Sequence, residues 1–153
     1  MRPLYRGVTL VELIVALTIL MTLFSICLIS VSKYDSDSRV LQEEADTLAM
    51  WFSGIMTMAN REGRSVKIYL SQTPSGDMEI RAVAAGEDVA SAKLVYRSSR
   101  VFIRNESPSV TTLSYDGVWQ TLTPALTLSV RSKTNRAKKV LLTVSVYGLI
   151  TIK

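Results

Sequence analysis

Residues 7–16 read Gly7-Val8-Thr9-Leu10-Val11-Glu12-Leu13-Ile14-Val15-Ala16. A short basic leader, Met1-Arg2-Pro3-Leu4-Tyr5-Arg6, runs up to the glycine, and an apolar run begins directly after it, interrupted only by the carboxylate of Glu12. From Leu13 to Ser32 there is no charged residue, no proline and no glycine. At about 1.5 Å rise per residue, a helix from Val8 to Ser32 is just long enough for a hydrocarbon core of roughly 30 Å. Arg2 and Arg6 predict a cytoplasmic N-terminus, with everything after Ser32 on the outer side of an inner membrane.

Glu12 is the unusual residue of this stretch. A carboxylate inside an apolar helix costs about 2.5–3.5 kcal/mol on insertion scales, so it needs a partner or a function. If the chain were cut after Gly7, Glu12 would stand in the first turn of the helix. There the unsatisfied backbone N–H groups and the positive end of the helix dipole favour an anion. A plain signal anchor with one stray acid is the alternative. A cleaved secretory signal fits less well, because its apolar region runs only about 7–15 residues and ends in small residues of the Ala-x-Ala kind.

The order of glycine, glutamate five residues on, and an uninterrupted apolar run resembles the class III signal of type IV pilins and type II secretion pseudopilins. The family pattern is Gly, then Phe-Thr-Leu-x-Glu-Leu, then a long apolar helix; Gly7, Thr9, Leu10, Glu12 and Leu13 match it, and Val8 replaces the usual phenylalanine. The resemblance implies that a prepilin peptidase cuts between Gly7 and Val8 and that the new Val8 amine is methylated. It also implies a partner for Glu12: the freed N-terminal amine of a neighbouring subunit. Opposite charges meeting in an apolar bundle offset each other's desolvation, which makes Glu12 a register and recruitment device in filament assembly and not a catalytic acid.

Composition is consistent with a small anchored domain. About 120 of the 153 residues remain beyond the apolar run, enough for one globular core. The single cysteine, Cys27, lies within that run and has no intrachain partner. The chain therefore lacks the C-terminal disulfide loop of many major pilins, which points away from a major adhesive subunit. Charge is uneven: residues 33–63 hold three basic and six acidic residues, whereas residues 64–153 hold thirteen basic and six acidic ones, a net +7.

Beyond Lys33, Leu41, Ala45, Leu48, Phe52, Ile55 and Ala59 recur at helical spacing, with Val40, Trp51 and Met56 widening the stripe. Gly63 stands where a left-handed cap is expected. This predicts one long helix from about Thr9 to Glu62, with Tyr34-Asp35-Ser36-Asp37-Ser38 as its weakest stretch. The period then changes to alternation. Strands are predicted at 65–70 and 78–83, flanking a turn at Thr73-Pro74-Ser75-Gly76-Asp77, then at 101–104, 111–115, 126–130, 140–146 and 149–152. Residues 84–92 and 105–110 read as loops, and Asp116-Gly117 and Tyr147-Gly148 as turns. The expected fold class is α+β: a long N-terminal helix, transmembrane in its first half and amphipathic in its second, packed on a C-terminal antiparallel β-sheet domain. The divisions are a leader peptide at 1–7, an assembly helix at 8–32, its amphipathic continuation at 33–63 and a β-rich domain at 64–153.

Within the family the pattern is most similar to the H-type minor pseudopilins of type II secretion and the related T-type minor pilins. They share a helix ending just before a first strand, a late Asp-Gly turn matched by Asp116-Gly117, and a closing hairpin with a glycine, matched by Gly148. The resemblance implies a minor subunit of a type II secretion pseudopilus, processed by prepilin peptidase and built into a filament with other pilin-like subunits on an inner-membrane assembly platform. The alternative is a minor pilin of a type IV or DNA-uptake pilus.

No enzyme, cofactor or metal site is expected. The chain has no histidine, which removes histidine-based triads and His-ligated metals. Asp35, Asp37, Glu43, Glu44 and Asp46 lack the loop spacing of an EF-hand and read as a solvated helix face. The DNA alternative rests on Arg131, Lys133, Arg136, Lys138 and Lys139, five cations in nine residues of an expected hairpin loop, with Arg97, Arg100 and Arg104 adding to the same sign. The competing reading is a loop kept charged for solubility and filament contacts. It is preferred because no aromatic residue is interleaved with the charges for base stacking.

Overall fold

The computed structural model describes residues 9–73 and 77–153, and the side chains of these apart from 28–35. One helix, α1, runs Leu10–Glu62 and is followed by nine strands. The chain divides into two compact units, Met1–Ser36 and Asp37–Lys153.

In the first unit, Leu10–Cys27 is long and apolar enough to cross a membrane, and none of it is buried within the chain. Two of its hydroxyls are satisfied locally: Thr18 Oγ1 donates to the Val15 carbonyl and Thr22 Oγ1 to the Ile19 carbonyl, each at 2.8 Å. With these groups closed on their own backbone, the mostly apolar surface suits lipid or another apolar helix.

The second unit opens with the amphipathic half of α1. Leu41, Ala45, Leu48, Phe52, Ile55, Met56 and Ala59 are all buried, as the stripe predicts, with Val40 and Trp51 half-buried at its margins. The helix ends in a Schellman motif. Gly63, at φ +60°, lets its N–H donate to the Asn60 carbonyl (3.3 Å) and the Arg64 N–H to the Ala59 carbonyl (3.1 Å).

Two antiparallel sheets follow, not one. The first holds β1 (Val66–Gln72), β2 (Met78–Ala84), β3 (Leu94–Arg97), β5 (Thr112–Asp116) and β6 (Thr121–Thr123), in the order β3-β2-β1-β5-β6. The second holds β4 (Val101–Asn105), β7 (Leu126–Ser132), β8 (Lys139–Val144) and β9 (Ile150–Ile152), in the order β4-β7-β8-β9. Alternation sends Val66, Ile68 and Leu70 of β1, Leu113 and Tyr115 of β5, and Leu126, Leu128 and Val130 of β7 into one core with the helix stripe. Pro74, Ser75 and Gly76 of the expected first turn lie outside the described residues, and β1 and β2 pair from Val66↔Ala84 to Gln72↔Met78 on either side of them.

Two strands escape the sequence reading. β3 is short, and three of its four residues, Leu94, Val95 and Arg97, are exposed, so its alternation is faint. β6 has three residues and one buried side chain, Leu122. The stretch read as a loop at 84–92 contains a 3-10 turn at Val89–Ser91, capped by Asp88.

The two expected late turns are seated on the helix. A Cβ on Gly117 would lie 2.3 Å from the Ala59 carbonyl oxygen and 2.5 Å from that of Arg64, so only glycine fits. Gly148, at φ +71°, closes the β8–β9 hairpin, and a Cβ there would meet Met56 Sδ at 3.1 Å. Tyr115 Oη donates to Asn60 Oδ1 at 2.8 Å and fixes β5 to the same end of the helix.

Candidate functional site

Gly7 and Val8, the expected cleavage and methylation positions, lie outside the described residues. Immediately after them Thr9 and Glu12 form a capping box. The Thr9 N–H and hydroxyl both donate to Glu12 Oε2 at 2.9 Å, and the Glu12 N–H donates to Thr9 Oγ1 at 3.3 Å. The carboxylate thus has partners within its own chain, whereas the sequence reading assigns it one only in a neighbour. The signal is present in the Thr-x-x-Glu spacing. Both residues are exposed, at the entry to an apolar helix, so the carboxylate is held in place and still open to an incoming cation.

The basic segment is only in part a loop. Arg131 belongs to β7 and Lys139 to β8, so the connection is 133–138. It is well ordered by its own groups. Ser132 Oγ accepts from the N–H groups of Thr134 (3.2 Å) and Asn135 (3.1 Å), and Asn135 Oδ1 accepts from the Ala137 N–H at 3.1 Å. Thr134 Oγ1 donates to Asp37 Oδ2 at 2.7 Å, tying the loop to the helix.

An aromatic ring does accompany these charges, contrary to the expectation. Phe102 comes from β4, where it pairs with Arg131 across the sheet. Lys133 Nζ lies 5.1 Å and Arg136 Cζ 5.3 Å from its ring centroid, both in cation–π range. Sequence reading misses it because Phe102 is about thirty residues away along the chain.

Several of the other cations are already engaged. Arg131 pairs with Glu106 at 2.8 Å, and the Ser129 hydroxyl together with Arg131 holds the Glu106 carboxyl below its usual range. Arg100 reaches Glu43 at 3.2 Å and Glu44 at 3.7 Å. Lys133 lies 3.9 Å from Asp77. On β2 the buried carboxylate of Glu79 is clamped by Arg81 and Arg97, whose hydrogen bonds, Arg81 foremost, lower its pKa.

The acidic helix residues, read as a solvated face, are partly structural. Glu44 accepts from Tyr96 Oη at 3.2 Å, and burial, followed by the Glu44 charge, pushes the Tyr96 phenol up. Asp37 serves the basic loop. Asp46 fits the solvated reading better: it is exposed and accepts from Gln42 at 3.2 Å.

Comparison with known proteins bears on both halves of the chain. Residues 2–28 match the model of the prokaryotic N-terminal methylation motif. No curated protein sequence matches the chain. Among solved structures, the type IV minor pilin FimU of Pseudomonas aeruginosa PAO1 is similar in two crystal forms. One gives a TM-score of 0.58 at 18% identity, covering 74% of this chain and 92% of FimU. The other gives 0.59 at 18% identity, covering 76% and 90%. The motif match is confined to the N-terminal segment, and the likeness to FimU is one of fold: an N-terminal helix with an antiparallel α+β unit of the type IV pilin kind.

Proposed function

We propose that the chain is a minor structural subunit of a membrane-anchored, pilin-like filament, and that its chemistry is assembly and not catalysis. Prepilin peptidase cuts between Gly7 and Val8, the Val8 amine is methylated, and the apolar helix passes from the membrane into a bundle of pilin-like helices on an assembly platform. The N-terminus lies in the cytoplasm and the globular unit beyond the inner membrane. The observation that carries this reading is the capping box. It holds the Glu12 carboxylate against Thr9, the residue directly after the Val8 amine that cleavage would free. An amine from an adjacent subunit would meet a preoriented anion there.

A type IV pilus is supported by the likeness to FimU in fold. A type II secretion pseudopilus draws on the pattern shared with H-type minor pseudopilins, the late Asp116-Gly117 turn and the closing hairpin at Gly148; the sole cysteine, in the apolar span, speaks only against a major adhesive pilin. Incorporation that depends on a secretin-linked secretion platform favours the pseudopilus, and dependence on a retraction-competent pilus machine favours the pilus. The DNA-uptake alternative draws on Arg131, Lys133, Arg136, Lys138 and Lys139, of which Arg131 and Lys133 already serve carboxylates.

The test of the common reading is intact mass and N-terminal sequencing after co-expression with a prepilin peptidase. A chain beginning at Val8 and heavier by one methyl group is expected. An uncut chain beginning at Met1 overturns the reading and leaves a plain membrane anchor.

A further inference from the structure

The hairpin that joins β7 to β8 is fastened to the first residue of its unit. Thr134 Oγ1 donates to Asp37 Oδ2 at 2.7 Å and Ser132 Oγ to the same oxygen at 3.4 Å. Asp37 stands five residues beyond Ser32, the last residue of the uncharged run. Five residues span at most about 18 Å even when fully extended. The point where the hairpin is fastened therefore lies no further than that from the end of the run, however the two units are turned. Headgroups add about 5–7 Å to each face of a hydrocarbon core, and the attraction of an anionic surface extends about 8–10 Å beyond them. Together these layers cover most of the reach of the tether.

Three cations of the hairpin remain once the ion pairs are subtracted. Lys133 is matched by Asp77 and lies over Phe102, and Arg131 is matched by Glu106. Arg136, Lys138 and Lys139 are left, and no acidic residue occurs anywhere after Asp116. Arg136 and Lys139 are exposed and Lys138 is half-buried. The helix acids at the same end are largely engaged: Asp37 by the hairpin hydroxyls, Glu43 and Glu44 by Arg100. In number, Lys33 and Arg39 offset Asp35 and Asp46. The hairpin is also preformed. The Ser132 N–H donates to the Lys138 carbonyl at 3.2 Å and the Lys138 N–H to the Asn135 carbonyl at 3.0 Å, so little ordering is left for a ligand to impose.

We propose that Arg136, Lys138 and Lys139 rest on the phosphates of anionic lipid headgroups, at the membrane face from which the globular unit emerges. The inference rests on the membrane-anchored reading above. DNA phosphates offer the same chemistry, but only the bilayer is brought to the hairpin by the chain itself. The contact holds the globular unit at the membrane before assembly. It is given up as the span leaves the bilayer, which makes the hairpin available to a neighbouring subunit in the filament.

The test uses the full chain with Cys27→Ser and Ala137→Cys, the new thiol carrying a fluorophore, in vesicles of phosphatidylcholine alone or mixed with phosphatidylglycerol. A nitroxide on a trace of the headgroups reports approach by quenching. Quenching should be several-fold stronger with phosphatidylglycerol and should fade at high salt. Each cation removed should weaken the contact about fivefold, so Arg136→Gln, Lys138→Gln and Lys139→Gln together should abolish the lipid dependence without changing Tm. Lys138→Arg with Lys139→Arg should keep it. Equal quenching in the two lipids, or a lipid dependence that the triple glutamine variant retains, overturns the proposal. So does an oligonucleotide that displaces the hairpin from phosphatidylglycerol vesicles at equal phosphate concentration, which would assign the charge to DNA. Alkaline extraction of the same vesicles separates the two claims. Chains that resist it without lipid-dependent quenching overturn the contact alone, and chains washed out by it overturn the anchored reading on which the contact rests.

Discussion

Replacing Gly117 by alanine tests whether the β5–β6 hairpin is seated on the end of α1. The added Cβ would lie 2.3 Å from the Ala59 oxygen and 2.5 Å from the Arg64 oxygen, both backbone atoms. Ordinary carbon–oxygen contacts are about 3.3–3.6 Å, so the hairpin must retreat by about 1 Å. The Ala59 oxygen is also the acceptor that closes the helix cap with the Arg64 N–H. Overpacking costs about 1–3 kcal/mol and a weakened hydrogen bond about 1 more, which puts Gly117→Ala at roughly 2–4 kcal/mol. For a unit of this size that lowers Tm by roughly 10 °C. Gly54 supplies an internal control. It sits mid-helix with nothing within 4 Å of an added Cβ, so Gly54→Ala should stabilise by about 0.5–1 kcal/mol. Thermal unfolding of the full chain in detergent micelles, followed by near-ultraviolet circular dichroism, reads both. A Gly117→Ala chain as stable as the parent would refute the seating of the hairpin.

Glu12→Ala should be cut and membrane-inserted yet poorly built into filaments; incorporation equal to the parent, measured against the mature pool, removes the role assigned to Glu12. The clamp on Glu79 gives a pH dependence of known sign. Its folded pKa is lowered, so its stabilisation is present above the usual carboxylate range and is lost as pH falls through the folded value. The stability gap between parent and Glu79→Gln should therefore narrow on acidification, and a constant gap argues against the clamp. Tyr96 has the opposite sense. Its folded pKa is raised, so its contribution is intact below the ordinary phenol value and is lost as pH rises through the folded one. Ultraviolet difference titration of the parent against Tyr96→Phe should place the missing phenol above the ordinary tyrosine range, and a difference transition at the ordinary phenol value contradicts its burial beside Glu44. Neutralising Lys133, Arg136, Lys138 and Lys139 together should abolish any salt-sensitive DNA binding, and a parent chain that binds no DNA at low salt ends that alternative.

Period and punctuation made most of the architecture legible. The helix stripe from Leu41 to Ala59 named six positions, all buried, and of the three said to widen it Met56 is buried while Val40 and Trp51 are half-buried, because apolar residues keeping a 3.6-residue period over about five turns line one face of a helix. Gly63 announced the helix end for a reason local to its own backbone. What stayed hidden was non-local or too short for a period. β3 and β6 carry too few buried side chains to alternate visibly, and the division of the strands into two sheets is a property of pairing. The aromatic partner of Lys133 and Arg136 and the carboxylate clamp on β2 arise from cross-strand neighbours. At the N-terminal site the capping partner of Glu12 is three residues away and readable, but the cost of a charge in an apolar span points first to a partner on another subunit.

The ion pairs also change what the net charge of the globular unit means. A surplus of +7 over residues 64–153 suggests a diffuse positive field able to attract any polyanion. The structure distributes it otherwise. Arg81 and Arg97 converge on Glu79, Arg100 on two helix carboxylates, and Arg131 on Glu106. Arg97 joins β3 to Glu79 on β2 and Arg100 reaches the helix carboxylates, so part of the positive charge is engaged within the chain. The charge displayed outward is shared between single exposed cations such as Arg64, Lys67, Lys93 and Arg104 and one hairpin, where Lys133 and Arg136 lie over the Phe102 ring. A diffuse field favours non-specific binding that salt dissolves. A fixed pair of cations on an aromatic base favours a partner of matching shape, which is the kind of recognition a subunit needs when its neighbours are set by geometry.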